Sequence, residues 1–488
     1  MEKALKVLFV SPEVVPFAKS GGLADVAGSL PGALKKAGVD VRVIMPFYGS
    51  IRNKNYRIRP LIKDLSVPVS GMHLKAGVFQ TRTEDRVPVY LIEREDLYER
   101  PNLYGNYSGD YYDNLERFSF FCHASILTAL KLGFRPDIIH THDWQTGLIA
   151  PLLKGYYSDE AFFSATKTVF TIHNMGYQGI FNENRLPATG LENAGYFHPD
   201  GFEYWGNLNL LKSGIVYSDI ITTVSPTYAA EIQTKEYGMG MEGVLESRKD
   251  RLFGILNGID YKIWNPSTDK NIPKNYSLKR LSGKSACKEA LLKEMELDPI
   301  LKDRPVFGMV TRLDKQKGLD IVLSIINRAI RLDAGFVLLG SGDVSIEKAL
   351  KKAALKHNGK IGIGTGFNDP LAHKIIAGSD IFMIPSRYEP CGLTQMYALK
   401  YGTIPLVRST GGLNDTVTEY NPETGTGNGF KFTGSAPGDL LRAVKNSVLL
   451  YENKEGWKKL IINAMKEDFS WRKSAEEYVD VYFKALHH

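Results

Sequence analysis

Short, continuous apolar runs recur along the chain and restrict its fold more strongly than any other feature. The first series consists of LKVLFV at 5–10, DVRVIMP at 40–46, DIIHTHD at 137–143, TVFTIHN at 168–174 and DIITTVS at 219–225. Runs without polar alternation are typical of strands that are buried on both faces of a parallel sheet. Segments of helical periodicity, such as residues 22–37, lie between the runs. The first half of the chain is therefore predicted to alternate strand and helix.

A second series of the same kind follows the first. It consists of VFGMVTR at 306–312, GFVLLGSGD at 335–343, KIGIGTGF at 360–367, DIFMIPS at 380–386 and TIPLVRST at 403–410. Alternating strands and helices predict an α/β fold with doubly wound parallel sheets. A chain of 488 residues is also too long for a single hydrophobic core. We therefore predict two Rossmann-like domains that face a deep cleft.

The two series also predict the domain boundaries. Residues 1–255 are predicted to form the first domain, and residues 256–470 are predicted to form the second. The join falls within 252–277, where Asn, Pro and Gly are frequent and periodicity is weak. Residues 471–488 are predicted to form a terminal helix. Residues 50–115 are rich in tyrosine and irregular, so hairpins and loops around the cleft are expected there.

Composition limits the possible partners and the cellular compartment. The net charge of +7 is compatible with small phosphate-bearing molecules, and the absence of a basic block gives little support for nucleic-acid binding. Cys122, Cys287 and Cys391 lack the paired spacing of a disulfide scaffold or a structural zinc site. The N-terminal apolar run is too short for a signal sequence, and no run approaches the roughly 20 residues of a membrane span. These features predict a cytoplasmic protein without a membrane segment.

The segment KSGGLADVAGSL follows the first predicted strand and opens a helix. Ligands of open parallel sheets bind outside the carboxyl ends of the strands, which is where Lys19, Gly21 and Gly22 lie. Glycine lets the backbone approach a ligand, while a helix N-terminus and a lysine both favour an anion. A phosphate site and an ordinary turn with a solvated lysine both fit this pattern. The spacing matches neither a dinucleotide fingerprint nor a Walker loop.

Two cations flank a later turn between strand and helix. Arg312 ends a strand and Lys317 begins the following helix in TRLDKQKGLD. Such a pair suits a diphosphate, whose negative charge needs neutralising as it departs. The alternative is a pair of ordinary surface residues.

A carboxylate occupies another turn of the same kind, in SRYEPCGLTQMYALKYG. Glu389 follows a strand, and the next helix is predicted to open with Cys391, Gly392, Leu393 and Thr394. A carboxylate in this place can bind sugar hydroxyls while backbone N–H groups bind phosphate. Alternatively, Glu389 only caps the helix dipole. Cys391 is either a reactive thiol or a small residue that fits close to the ligand.

Polar and aromatic side chains collect at two further strand ends. HTHDWQTGL supplies histidines, an aspartate and a tryptophan, and FTIHNMGYQG supplies a histidine and an asparagine. Hydrogen-bonding groups beside an aromatic face are what a sugar site requires. A metal site formed by His140, His142, His173 and Asp143 is the alternative, although its ligands would come from two strands of unknown register.

Taken together, these segments resemble the bacterial glycogen synthases and plant starch synthases that use ADP-glucose. The resemblance rests on KSGGLADVAGSLP, HTHDWQTGL, TIHNMGYQG, NGID, TRLDKQKG, SRYEPCGLTQMYALKYG and STGGLNDTV, which occur in the family's order. Ser20 stands where the family more often has threonine, and the hydroxyl is kept. Tyr397 stands where many related transferases carry a second glutamate, and the synthase branch is similar in lacking it.

The resemblance implies a two-domain retaining glycosyltransferase with the GT-B architecture, whose final helix crosses back to the first domain. The implied reaction transfers glucose from ADP-glucose to the non-reducing 4-hydroxyl of an α-1,4-glucan and releases ADP. Glycogen or a maltooligosaccharide is the implied acceptor. No metal ion or other cofactor is expected.

Individual roles follow from the same resemblance. The implied catalytic residues are Glu389, His173, Arg312 and Lys317. The two cations would stabilise the departing diphosphate, Glu389 would hold glucose hydroxyls, and Phe367 would stack on adenine. The His173 carbonyl would lie near the anomeric carbon. The implied substrate-binding residues are Lys19, Gly21, Gly22, Asp143, Asn174, Asn257, Phe367, Cys391, Gly392, Leu393 and Thr394.

Retention requires attack from the face that the diphosphate leaves, or else a covalent intermediate, and the sequence offers no secure nucleophile. We therefore expect a front-face path in which a phosphate oxygen of the donor accepts the acceptor's proton. Because residues of both domains are implied, closure of the cleft is expected to assemble the site. The alternatives are a transferase with another nucleotide donor or acceptor and a noncatalytic glucan-binding protein. A dehydrogenase fits the fold class, but no G-x-G-x-x-G follows the first strand.

Overall fold

The computed structural model describes residues 4–106, 109–192 and 195–487. The chain forms two compact units: unit 1 consists of Met1–Gly258 with Trp471–His488, and unit 2 consists of Ile259–Ser470. The α/β class predicted from the sequence is confirmed in both units. None of the described helices is both long and apolar enough to cross a membrane.

Unit 1 is built on one large sheet. Its strands are β1 Lys6–Val10, β2 Asp40–Pro46, β3 Arg59–Val69, β4 Met72–Arg82, β5 Pro88–Glu93, β6 Gly105–Asn106, β7 Gly109–Asp110, β8 Ile138–His142, β9 Lys167–Ile172, β10 Ile180–Asn182, β11 Glu203–Tyr204, β12 Asn207–Asn209, β13 Ile220–Thr223 and β14 Leu252–Gly254. The large sheet has the order β14–β13–β9–β8–β1–β2–β5–β4–β3. The short strands β10, β12 and β11 form a separate sheet, and β6 pairs with β7.

The five strands predicted in the first half of the chain are all present, and they pair in parallel as expected. Hairpins were expected within residues 50–115, and this is confirmed by the antiparallel pairing of β3 and β4. The strand β5 pairs with both β2 and β4 and thereby joins the hairpin to the main sheet. The strand β14 was missed because three residues are too few to show periodicity.

The first helices of unit 1 are α1 Gly22–Lys36, α2 Gly49–Arg52, α3 Glu95–Tyr98, α4 Asn114–Lys131, α5 Ile149–Lys154, α6 Leu210–Tyr217, α7 Pro226–Glu231 and α8 Glu242–Ser247. The helix α1 buries Leu23, Val26, Leu30 and Leu34, which is the face that its sequence predicts. The helix α4 buries Cys122 and His123 completely, so both side chains pack in the helix interior as expected.

Unit 2 contains a sheet in which every pairing of the described strands is parallel. Its strands are β15 Val306–Val310, β16 Gly335–Gly340, β17 Ile361–Thr365, β18 Ile381–Ile384, β19 Ile404–Arg408 and β20 Phe430–Phe432, in the order β17–β16–β15–β18–β19–β20. Its helices are α9 Ser282–Glu294, α10 Leu319–Ala329, α11 Val344–Lys356, α12 Asp369–Gly378, α13 Thr394–Lys400, α14 Gly411–Thr416, α15 Pro437–Glu452 and α16 Lys454–Lys466. Side chains from β15, β16 and α10 meet in the core of this unit.

The terminal helix α17, Trp471–His487, follows unit 2 in sequence but is part of unit 1, where it packs against α1. Its Tyr482 is completely buried, and the phenol oxygen lies 2.8 Å from Nδ1 of His140 in β8. The helix therefore lies against the same strand ends that carry the histidine motif.

Candidate active site

The turn between β1 and α1 donates hydrogen bonds to a buried carboxylate that the sequence predictions did not include. Glu13 is 3% exposed and accepts hydrogen bonds from the Ser20 hydroxyl at 2.6 Å, the Tyr104 hydroxyl at 2.6 Å and the Gly21 N–H at 3.4 Å. The Ser20 N–H also donates to Glu13. These contacts shape the turn and direct the Gly21 N–H inward. An acidic residue directly after the first strand was the signal available in the sequence.

The outer side of this turn is open. A methyl group added to Gly21 or Gly22 would meet nothing within 4 Å, so neither glycine is required for packing in unit 1. Lys19 is half exposed, and its Nζ lies 2.8 Å from the Asp25 carboxylate. A cation beside an open stretch of backbone suits an anionic ligand, which agrees with the phosphate interpretation of the turn.

Because the Ser20 hydroxyl bonds to a carboxylate, Ser20→Ala should loosen the turn, and Ser20→Thr should not. A hydrogen bond to a charged group contributes roughly 1.5–3 kcal/mol. We expect Ser20→Ala to raise KM for a phosphate-bearing substrate about tenfold and to lower the free energy of unfolding by about 1 kcal/mol or more, because Glu13 loses one of its donors. Steady-state kinetics would measure both variants. An unchanged KM in Ser20→Ala would show that Glu13 holds the turn through the backbone N–H groups alone.

Asp143 and His173 lie directly after the neighbouring strands β8 and β9. Oδ1 of Asp143 accepts the backbone N–H of His173 at 2.7 Å. Asp143 adopts a φ of 55°, a left-handed conformation that is uncommon for residues other than glycine. Burial raises the pKa of the Asp143 carboxyl to about 7, and burial lowers the pKa of His173 to about 3. The pair therefore combines a neutral imidazole with a carboxyl group that titrates near neutrality.

Asp143 should make the stability of unit 1 depend on pH. Its pKa is raised in the folded state, so the folded protein holds the proton more tightly than the unfolded chain does between about pH 4 and pH 7. Its contribution to stability is therefore present at low pH and is lost as the pH rises to 7. The loss is on the order of 4 kcal/mol for a shift of this size.

Asp143→Asn keeps an oxygen that accepts the His173 N–H but cannot ionise. We expect the variant to gain stability relative to the wild type as the pH rises from 5 to 8, because only the wild type incurs the cost of ionisation. Urea unfolding at both pH values would measure the difference. A stability difference between variant and wild type that is the same at pH 5 and pH 8 would contradict the prediction.

The remaining histidines of the motif are bonded to protein groups. His140 contacts the Tyr482 hydroxyl at 2.8 Å through Nδ1 and the Thr171 hydroxyl at 2.7 Å through Nε2. Nδ1 of His142 lies 3.1 Å from Nε2 of His173. No group of three or more His, Cys, Asp or Glu side chains among the described residues is arranged to hold a metal ion. Of the three imidazoles, those of His142 and His173 share a hydrogen bond, whereas His140 bonds to Tyr482 and Thr171 and meets His142 only through a ring contact.

Trp144 does not have the role expected of it. Its ring is 7% exposed, packs edge-on against Phe118 and at a tilt against Phe181, and has Gly179 close to it. The prediction that this tryptophan offers an aromatic face to a sugar is therefore wrong. Its burial follows from the contacts with Phe118, Phe181 and Gly179.

The two predicted asparagines differ in their surroundings. Asn174 accepts the Gly176 N–H at 2.8 Å through its side-chain oxygen, which stabilises the turn after β9. Asn257 follows β14 and is 5% exposed. Its side-chain oxygen is buried without a hydrogen-bond partner among the described residues. A buried acceptor of this kind favours a ligand donor, because leaving it unsatisfied has a cost in free energy.

In unit 2, the predicted phosphate cation and the predicted sugar carboxylate bind each other. Lys317 Nζ lies 2.6 Å from Oε2 of Glu389, and the two side chains are only 16% and 11% exposed. The hydroxyl of the completely buried Ser386 donates to the same oxygen at 2.8 Å. Oε2 is therefore engaged twice, and Oε1 is the carboxylate oxygen left for a ligand. Ser386 was not singled out in the sequence, where it is one residue of a strand end.

Arg312 lies at the end of β15 and is half exposed. Its guanidinium is 3.4 Å from the Asp314 carboxylate and 3.2 Å from the side-chain oxygen of Gln316. Phe367 follows β17 and is 88% exposed, so its ring is accessible for stacking. Both side chains are accessible, and their roles toward a diphosphate and an adenine stay predictions.

The side chain of Gln395 supports the loop from Glu389 to α13. Gln395 donates through its amide to the carbonyls of Cys391 and Gly392, each at 3.0 Å. Gly392 has a φ of 69°, which favours glycine, and Cys391 is 4% exposed. Leu393 and Thr394 then lead into α13. Cys391 is thus a small buried residue of the loop.

The second Gly-Gly pair lies against this loop. The Gly412 N–H donates to the carbonyls of Glu389 and Pro390, each at 3.1 Å. A Cβ on Gly411 would fall well inside van der Waals distance of the Glu389 carbonyl, and one on Gly412 would do the same at Cys391. Unlike Gly21 and Gly22, this pair is required for packing, because it allows two backbone segments to touch.

Each Rossmann-like unit carries, after the ends of its strands, side chains suited to binding phosphate or sugar hydroxyls. This combination is characteristic of a glycosyltransferase. Residues 6–247 match the family model described as the starch synthase catalytic domain, and residues 293–466 match the model described as glycosyl transferases group 1. The chain belongs to the glycogen synthase family and is a glucosyltransferase. It is 47% identical to a glycogen synthase of Geotalea daltonii, with 98% of each chain covered.

Further relatives support the same family assignment. A glycogen synthase of Thermosipho africanus is 47% identical, with 99% of each chain covered. The catalytic domain of starch synthase IV from Arabidopsis thaliana, in a structure bound to ADP and acarbose, superposes with a TM-score of 0.92 at 35% identity and covers 100% of each chain. Sucrose-phosphate synthase from Thermosynechococcus elongatus superposes with a TM-score of 0.59 at 16% identity, with 99% of each chain covered, and shares the fold. These neighbours confirm the GT-B architecture expected from the sequence.

Proposed function

We propose that the chain transfers glucose from ADP-glucose to the non-reducing 4-hydroxyl of an α-1,4-glucan, with retention of anomeric configuration and release of ADP. The observation that carries the proposal is the buried group of Lys317, Glu389 and Ser386, which combines a phosphate-binding cation with an oriented carboxylate. The ADP held by the Arabidopsis starch synthase supports ADP as the nucleotide product. Glycogen or a maltooligosaccharide is the proposed acceptor, and the cytoplasm is the proposed location.

In this proposal unit 2 binds the donor. Arg312 and Lys317 stabilise the negative charge that develops on the departing ADP, which is usually a large part of the lowering of the barrier. Oε1 of Glu389 accepts hydrogen bonds from glucose hydroxyls, while Ser386 and Lys317 keep the carboxylate in position. Phe367 stacks on adenine. Backbone groups of the loop from Cys391 to Thr394 bind the phosphates.

Unit 1 contributes Lys19, Asp143 and His173 in the same proposal. Lys19 and the open backbone at Gly22 bind the anionic part of the donor, while Gly21, whose N–H is bonded to Glu13, lines the turn. Asp143 and Asn174 bind sugar hydroxyls, and the unsatisfied oxygen of Asn257 accepts a ligand hydroxyl. The acceptor attacks from the face that ADP leaves, and a phosphate oxygen of ADP takes its proton. No metal ion is required, because fixed cations neutralise the diphosphate.

The test is release of ADP from ADP-glucose, with and without glycogen, for the wild type, Lys19→Ala and Glu389→Ala. Lys351→Ala is the matched control, because Lys351 only pairs with Glu347 on the exposed face of α11. We expect glycogen-dependent ADP release that persists in EDTA, falls in the two site variants and is unchanged in the control. Preference for UDP-glucose in competition would favour another donor. Binding of maltooligosaccharide without ADP release would favour a noncatalytic glucan-binding protein.

A further inference from the structure

A row of three neighbouring imidazoles lies in and directly after the strands β8 and β9 of unit 1. His140 and His142 alternate along β8, so they lie on the same face of the strand, and their ring centroids are 4.2 Å apart. His173 follows the adjacent parallel strand β9, and its Nε2 lies 3.1 Å from Nδ1 of His142. His142 is completely buried, whereas His173 is 9% exposed. The row therefore runs from the interior to one partly accessible ring.

Burial favours the neutral form of each imidazole in the row, including that of His140, whose pKa lies well below its ordinary value. Burial lowers the pKa of His173 to about 3, and burial together with the neighbouring histidines lowers the pKa of His142 well below its ordinary value. A neutral imidazole carries one ring proton, so one nitrogen donates and the other accepts. The contact between His142 and His173 consequently has two possible arrangements, which differ in the ring that donates.

The surroundings of the second ring nitrogen of His142 distinguish these two hydrogen-bonding arrangements. Nε2 of His142 is buried without a hydrogen-bond partner among the described residues. If His173 were the donor, His142 would carry its proton on Nε2, and a buried N–H would be unsatisfied. If His142 donates from Nδ1, only a lone pair is left without a partner. Unsatisfied buried N–H groups are rarer than under-satisfied acceptors, so the second arrangement is favoured.

We propose that His142 is a positioning residue that donates its Nδ1–H to Nε2 of His173 and thereby holds His173 as the Nδ1–H tautomer. In this tautomer the accessible nitrogen of His173 is a hydrogen-bond donor, suited to a hydroxyl of the transferred glucose. It cannot also act as the base that deprotonates the acceptor. This inference rests on the proposed function for the identity of the sugar, but the tautomer itself does not depend on turnover.

The surroundings of His142 keep its ring in one orientation. The ring packs against Phe9 and against His140, each with a centroid separation of 4.2 Å, and those two rings also contact each other at 5.1 Å. Its backbone N–H donates to the Thr146 hydroxyl at 2.6 Å. His140 is held in turn by Tyr482 of α17. Contiguous contacts therefore connect the terminal helix to the position of the His173 ring.

The tautomer can be read directly by nitrogen NMR of the wild-type protein labelled with ¹⁵N in its histidine rings. His173→Asn identifies the signals of His173 by difference. We expect His173 to be protonated at Nδ1 and unprotonated at Nε2, without ADP-glucose being added. Protonation of His173 at Nε2 in the wild-type protein would overturn the proposal.

Two amide substitutions at position 142 test whether His142 acts as a hydrogen-bond donor or only fills space. The amide nitrogen of asparagine can take the place of Nδ1, whereas that of glutamine corresponds to Nε2. We expect His142→Asn to keep kcat/KM for ADP-glucose within about threefold of the wild type, and His142→Gln to lower it about 10- to 50-fold. Equal losses in two folded variants would overturn the donor role.

The proposed function can be wrong while the proposed tautomer of His173 is right, and separate experiments distinguish the two cases. Full activity of His173→Ala would remove His173 from sugar binding, and absence of ADP-glucose turnover in the wild type would remove the reaction itself. In both cases the NMR measurement still decides whether His142 sets the tautomer of His173.

Discussion

Lys317→Ala is expected to lower kcat by about 10²- to 10³-fold, the size of effect found when one preorganised charge-stabilising group is removed from an active site. The substitution removes a proposed partner of the departing diphosphate. It also leaves the Glu389 carboxylate, only 11% exposed, without its cation. Breaking a buried ion pair from one side costs about 3 kcal/mol or more. ADP release and urea unfolding measure the two effects separately.

Lys315→Ala is the matched control for this variant. Lys315 lies on the same short helical turn, Lys315–Lys317, and carries the same charge, but its side chain is exposed. We expect its activity and stability to be close to those of the wild type. Equal losses in both variants would attribute the effect to the net charge of the turn. Unchanged kcat in Lys317→Ala would remove Lys317 from the proposed mechanism.

Gly412→Ala is expected to lower kcat/KM for ADP-glucose about 100-fold and to destabilise unit 2 by roughly 3 kcal/mol. The added Cβ would overlap the backbone of Cys391, and backbone atoms cannot move aside as the end of a side chain can. The loop must shift, and Glu389 shifts with it. A displacement of about 1 Å of a positioning group can cost 10²-fold in rate. Steady-state kinetics and thermal unfolding would measure the loss.

Gly438→Ala provides the comparison within the same unit. Gly438 lies in the first turn of α15, and a Cβ there would meet nothing within 4 Å. Alanine is also the better helix former, so stability should stay the same or rise slightly. If Gly412→Ala behaved like Gly438→Ala in both measurements, the loop at Glu389 would not need the close approach that Gly412 permits.

The fold class could be predicted because its signal is local. Ten apolar runs identify ten strands, and the polarity of a parallel sheet places the residues after each strand at one edge. This is why Lys19, Asp143, His173, Arg312 and Glu389 could be selected from the sequence before their contacts were known. The antiparallel hairpin of β3 and β4 was expected only as a hairpin somewhere within residues 50–115, and its strands were not located because their partly polar sequence gives a weaker signal of burial.

The partners of these residues could not be predicted in the same way. Lys317 and Glu389 are 72 positions apart, and His140 and Tyr482 are 342 apart. Glu13 and Ser386 were missed although their partners Ser20 and Glu389 lie only seven and three positions away, because the turn conformations that bring these side chains together cannot be read from the sequence. Trp144 was assigned an accessible face from its position in a motif, but packing against Phe118 buries it.

The sequence by itself determined the α/β class, the strand ends that carry functional residues, and the family. These follow from backbone periodicity and from motifs, which are short-range properties of the chain. Only the tertiary structure decided that Gly21 and Gly22 are open to a ligand while Gly411 and Gly412 support the loop at Glu389. The two pairs look alike in sequence, and they differ because the space beside a glycine depends on distant segments whose packing no local pattern records.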